Sequence, residues 1–200
     1  MSNDSRRFKL IPPEELTPEQ KALADAIRAG PRAALKNSAA AKPGPLGGPF
    51  NVLLRSPGVG NIVQKLGEEI RFRSSLPSKL NEFAIIITAR QWTSQYEWFA
   101  HHRLALEAGL DPAIAEDVAH GRRPAKMGED ERIVYDFSRE LHETRGVSDA
   151  TYQAALGRFG ERGVMDLIAV NGFYVLVSMC LNVDRTPLPE GQKAPLPRLR

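Results

Sequence analysis

Cysteine is nearly absent from this 200-residue chain, with Cys180 standing alone. One thiol cannot close an internal disulfide, and the usual zinc spacings need at least two. Such usage is compatible with a reducing cytoplasm, which is the expected compartment. A basic stripe interleaved with aromatics is also lacking. The formal net charge is only +3, and the densest basic points, SRR, RFR and GRR, are short and separate, so nucleic acid is not an expected partner. The first twenty residues have no apolar core of the kind a secretory signal needs. Nothing alternates apolar and polar over a useful length, so strands are not expected. The most apolar run, VMDLIAVNGFYVLVSMCLNV, approaches the length of a membrane span. It carries Asp166, Asn171 and Ser178, which favours a buried helix, and no membrane is expected as a partner.

What remains is ordinary for a globular protein: 42% apolar and 26% charged residues, in a chain long enough to bury a substantial core. The pattern is helical almost throughout. An extended arm runs to about residue 16. Thr17, Pro18 and Gln20 then form a helix start with a capping box, and Gly30-Pro31 ends that helix. Residues 31–50 are rich in Ala, Pro and Gly and read as a surface loop. A helix follows from Pro57, with Ile62, Val63, Leu66 and Ile70 at helical spacing. The next, PSKLNEFAIIITARQW, is apolar enough around Leu80, Phe83, Ala84 and Ile87 to be central. Ser94 to Ala108 forms a third, stopped by Gly109. Asp111-Pro112 restarts a short one ending at Gly121. An amphipathic helix carries Ile133, Phe137 and Leu141, Ser148 caps the next, and the apolar run forms the last, from about Glu161 to Asn182. The tail DRTPLPEGQKAPLPRLR has no pattern and reads as an arm or disordered. The expected architecture is all-α, with short connections favouring antiparallel neighbours.

The stretch EWFAHH holds two of the four histidines. On a helix Glu97 and His101 are four apart and meet on one face. His102 is turned about 100° away. A carboxylate beside an imidazole favours the imidazolium, orients the ring and fixes its tautomer, leaving the other ring nitrogen outward as an acid or base near neutral pH. The same pair also occurs as a helix-stabilising contact on a solvated face. Trp92, Tyr96, Trp98 and Phe99 surround the pair, which points to partial burial and makes it a better site candidate. A metal would need a third ligand, and His120 and His142 lie on separate helices, so no metal is expected. His120 suits a helix C-terminus. Cys180, in the apolar last helix, reads as a buried, inert thiol whose pKa Asp184 would raise.

The run SPGVGNIVQKLGEEIRFRSSLPSKLNEFAIIITARQWTSQYEWFAHHRLALEAGLDPAIAEDVAHG, with NGFYVLVSMCLNVDRTPLPEG later, resembles the carboxymuconolactone decarboxylase-like family, which includes the alkylhydroperoxidase-D branch. Its most specific part is Glu97-Trp98-x-x-His101 followed by Ala105 and Ala108-Gly109-Leu110. The resemblance implies an alkylhydroperoxidase-D-like helical bundle with extended N- and C-terminal arms. Residues 1–47 would form a helix and Ala/Pro/Gly-rich arm, 48–185 the helical domain, and 186–200 a Pro-rich tail. It also implies a homo-trimer or homo-hexamer with pockets near subunit contacts, the two arms wrapping a neighbour, and a small-molecule substrate handled without a cofactor.

The peroxidase branch of that family carries Cys-x-x-Cys-x-x-x-His on this helix. Aligning its histidine with His101 puts the cysteines at Ser94 and Glu97 and the upstream glutamate at Arg90. A dithiol relay then has neither nucleophile nor resolving partner. The decarboxylase branch carries Glu-x-x-x-His, as this chain does. Carried over, His101 is the proton donor or acceptor and Glu97 its orienting partner. With no family motif at either position, Arg90 or Arg55 is the expected holder of a substrate carboxylate, and Trp92, Ser94, Trp98 and His102 are expected beside the substrate. Three readings stand at this point: an acid–base enzyme acting on a lactone or carboxylic acid, a thiol peroxidase working through Cys180, and a non-catalytic helical oligomer that binds a ligand or partner.

Overall fold

The computed structural model describes residues 6–34 and 39–197. The expected conformations of residues 1–5, 35–38 and 198–200 lie outside the described residues. Among the described residues the protein is all-α, with eight helices and no strands: α1 (Pro18–Ala29), α2 (Pro49–Leu53), α3 (Pro57–Phe72), α4 (Ser78–Gln91), α5 (Gln95–Glu107), α6 (Pro112–Ala119), α7 (Glu129–Thr144) and α8 (Asp149–Asp184). Short 3-10 turns add Pro13–Glu15 and Pro31–Ala34. The chain divides into two compact units, Met1–Arg73 with Cys180–Pro187, and Ser74–Met179 with Leu188–Arg200.

In the first unit the expected capping box is present: Thr17 Oγ1 accepts from Gln20 N–H, and Gln20 Oε1 accepts from Thr17 N–H. It leaves Leu23, Ala24 and Ile27 to pack with Leu46, Phe50 and Leu54. Phe50 and Leu54 belong to α2 and its end, where the Ala/Pro/Gly pattern suggested only loop. Five residues are too few for a helical period to show, and proline at its first position is what starts the turn. The α3 stripe is also rotated from expectation. Val63 and Ile70 are buried, whereas Val59, Ile62 and Leu66 are exposed. The N-terminal arm is fixed by polar contacts: Phe8 N–H donates to Asp184 Oδ1, Asn51 Nδ2 donates to the Phe8 carbonyl, and Arg55 lies over the Phe8 ring.

In the second unit α4 is the central element, packed against α5, α6 and α7. Every α4 residue from Leu80 to Arg90 is buried, so this helix carries polar side chains into the core with its apolar ones. Gly109 takes the left-handed conformation (φ 94°) that ends α5, and Gly160 (φ 69°) breaks α8 where the sequence placed two helices. Past that break α8 buries Leu167, Val170, Phe173, Tyr174 and Val177, and exposes Met165, Ile168, Leu176 and Met179. It is long and apolar enough to cross a membrane by length and composition, with half of its most apolar window buried. The tail does not run free: Gln95 Nε2 donates to the Leu196 carbonyl and Gln95 Oε1 accepts from Leu196 N–H, both at 2.9 Å.

Candidate acid–base site

The expected pair is formed. On α5, Nε2 of His101 lies 3.1 Å from Oε1 of Glu97, and both side chains are buried. Glu97 stands in the first turn of α5, where the helix dipole favours a negative charge. The other ring nitrogen is not outward-facing, contrary to expectation. Nδ1 lies 2.6 Å from Oε2 of Glu82 on α4, and Glu82 is buried too. The ring edge also meets Tyr174 of α8, with centroids 5.0 Å apart at 78°. His101 therefore sits between two carboxylates, with both nitrogens engaged.

Glu82 is the member of the candidate site that the sequence does not single out. The resemblance put the upstream glutamate at Arg90, but the carboxylate that reaches His101 lies two turns earlier on α4. A signal was available. Glu82 stands in the apolar run of a helix read as central, and a buried carboxylate needs a partner.

The electrostatics follow from this contact set. Burial by itself pushes the His101 imidazole down. The charges of Glu82 and Glu97, and the hydrogen bonds to both, outweigh it and raise the pKa to about 9. At neutral pH the ring is an imidazolium held between the two carboxyl groups. Glu97 has no other side-chain hydrogen bond or ion pair among the described residues. Its second oxygen is thus the lone-pair donor that the cluster leaves unclaimed.

The other expected site residues divide. Trp98 is buried and stacks on His102 at 5.5 Å and 15°, so His102 is turned away from the cluster onto the neighbouring face of α5, and burial lowers its pKa. Trp92 is the half-buried C-cap of α4. Ser94 is the fully buried N-cap of α5, and Arg90 is buried on the last turn of α4. Arg55 is taken up with the arm, donating to Asn51 Oδ1 and the Lys9 carbonyl. His120 closes α6 as expected, with Nδ1 against the Glu116 carbonyl. His142 joins a separate network, its Nε2 3.0 Å from both Thr88 Oγ1 and Asn171 Oδ1. Cys180 is half-buried, and burial pushes its thiol up. Among the described residues no group of three or more His, Cys, Asp or Glu side chains is arranged to hold a metal. Neither a protein-family model nor a curated protein matches the sequence.

Proposed function

We propose that this chain is a carboxymuconolactone decarboxylase-like protein with an alkylhydroperoxidase-D-like bundle, acting as a cofactor-free acid–base enzyme on a small lactone or carboxylic acid. The observation that carries the reading is the engagement of both His101 nitrogens by buried carboxylates, Glu82 at 2.6 Å and Glu97 at 3.1 Å. That arrangement reassigns the roles. Glu97, through its unclaimed oxygen, takes or returns the substrate proton. His101 stays protonated and stabilises the charge on Glu97, and Glu82 fixes the ring and its protonation. An imidazolium beside a reacting carboxylate also helps anionic character develop on a bound lactone.

The thiol-peroxidase alternative needs an exposed, acidic thiol, and Cys180 is half-buried with a raised pKa. A non-catalytic oligomer is favoured by one observation, the near-complete burial of all three cluster side chains. Under either reading the protein works in the cytoplasm as a homo-trimer or homo-hexamer. The exposed stripe on α8, Met165, Ile168, Gly172, Leu176 and Met179, supports assembly, because its 3-4-4-3 spacing is that of a helix–helix seam.

The test is ultraviolet-monitored turnover of carboxymuconolactone, and of a panel of other carboxylated lactones, by the wild type and by Glu97→Gln and His101→Gln. Loss of about 100-fold or more in both folded variants is the expected result. Unchanged turnover in Glu97→Gln removes Glu97 as the proton-transfer group, and none by the wild type on any panel member leaves the non-catalytic oligomer.

A further inference from the structure

Arg90 is 4% exposed, yet among the described residues it has no anionic partner. Its Nη1 donates to the carbonyls of Ala119 (3.2 Å) and Pro197 (2.8 Å), and its Nη2 donates to Thr93 Oγ1 (2.9 Å). Its Nε is buried with no acceptor. Among the described residues no carboxylate lies within ion-pair distance of it. A guanidinium taken out of water normally requires a counter-charge, and dipoles alone are a poor substitute. Four residues on, Ser94 is 0% exposed and its hydroxyl has no partner. It occupies the N-cap of the 13-residue α5 without capping it, so the first N–H groups of that helix are unassisted at the positive end of its dipole. The link between the two residues is strained: Thr93, a β-branched residue, has φ 45°. The backbone is held in that form by Thr93 N–H donating to the Arg90 carbonyl and Ser94 N–H to the Ala89 carbonyl.

We infer that the α4–α5 corner is a binding site for a small organic carboxylate, held by Arg90 and Ser94, and that the Pro197 carbonyl is an intramolecular stand-in which the ligand displaces. A monovalent carboxylate balances the Arg90 charge, and its two oxygens can accept from the guanidinium and the Ser94 hydroxyl together. A divalent phosphate would leave excess negative charge near Glu97. The C-terminal strap is the competing occupant. It is seated by buried Leu196 and by the two hydrogen bonds to Gln95, and it presents Pro197 to Arg90. Ser94 stands one helical turn before Glu97, so a substrate anchored here by its carboxylate lies along α5 toward the proton-transfer group. The inference thereby names the substrate class for the proposed enzyme and rests on that reading for its catalytic meaning, though not for binding.

The experiment is ligand-observed NMR of butyrate with full-length wild type, Arg90→Met, Ser94→Ala, Gln95→Ala and His101→Gln, with butanol and inorganic phosphate as comparison probes. Butyrate is expected to bind the wild type in preference to both. Gln95→Ala, which loosens the strap, is expected to tighten binding roughly tenfold, and Arg90→Met to weaken it roughly thirtyfold or more. Ser94→Ala gives a second reading of the site, several-fold weaker, should Arg90→Met fold poorly. His101→Gln is expected to keep butyrate while losing turnover. Equal binding of butanol, or butyrate affinity within twofold of wild type in both Arg90→Met and Ser94→Ala, overturns the inference. So does loss of butyrate in His101→Gln alone, which would put the anion on the imidazolium. Binding that maps to Arg90, beside turnover unaffected by His101→Gln, leaves this inference standing and removes the catalytic one.

Discussion

Nδ1 of His101 lies 2.6 Å from Oε2 of Glu82, a contact between two helices and across 19 residues of sequence. It makes the folded state bind a proton that the unfolded chain releases near neutrality. The folded pKa is about 9 against an ordinary 6.5. A raised value means the stabilisation is complete below about pH 6.5 and is lost as pH rises through about 9. Its size is on the order of 3 kcal/mol. Urea unfolding at pH 6.5 and pH 9.5 should show the wild type losing most of that amount, and Glu82→Gln losing much less. Equal losses in the two proteins would contradict the contact.

The half-buried His142 network has the opposite sign. Burial lowers the His142 pKa, with the hydrogen bond to Asn171 acting against it. A depressed histidine contributes stability above its unfolded pKa of about 6.5 that is lost as pH falls. Asn171 joins this network at its centre, donating to Ser138 Oγ and the Leu167 carbonyl and accepting from Thr88 Oγ1. Asn171→Ala strands several buried polar groups at once and should cost about 2–3 kcal/mol in urea unfolding. A cost under about 0.5 kcal/mol would mean that water replaces the amide.

Assembly can be tested on α8. Leu176 and Ile168 are 39% and 45% exposed on the same stripe. Leu176→Glu adds a charge to a surface whose burial in one chain is already complete on the other side. Light scattering should show the wild type as a multiple of 22.1 kDa and the variant at lower mass, with unchanged helicity. A monomeric wild type at micromolar concentration would remove the oligomer.

Cys180 should alkylate slowly in the native protein, because burial both hinders access and raises its pKa. Native labelling with iodoacetamide at pH 7.5 should lag the unfolded chain by well over tenfold. Labelling at the unfolded rate would revive the thiol reading.

How much of this was legible depended on the range of the signal. The capping box of Thr17 and Gln20, the proline starts of α1, α3 and α6, and the glycine breaks at Gly109 and Gly160 are local devices, and each appears where its residues stand. Glu97 and His101 were legible for the same reason, since helical spacing alone brings them together. Glu82 was not, because its partner comes from another helix and only burial of α4 makes the pairing necessary. The outward turn of Ile62 and Leu66 was hidden likewise: an apolar stripe has a period but does not say what covers it. The pinned tail escaped notice because Gln95 reads its backbone, which carries no sequence pattern.

The most direct measurement is 15N-resolved NMR of the His101 ring across pH 6 to 10, assigned with His101→Gln. The account predicts both ring nitrogens protonated at pH 7.5 and a midpoint near 9, moving down in Glu82→Gln and in Glu97→Gln. A neutral ring at pH 7.5 titrating near 6.5 would contradict it, because a free imidazole cannot be the fixed cation between two carboxylates on which the proposed chemistry depends.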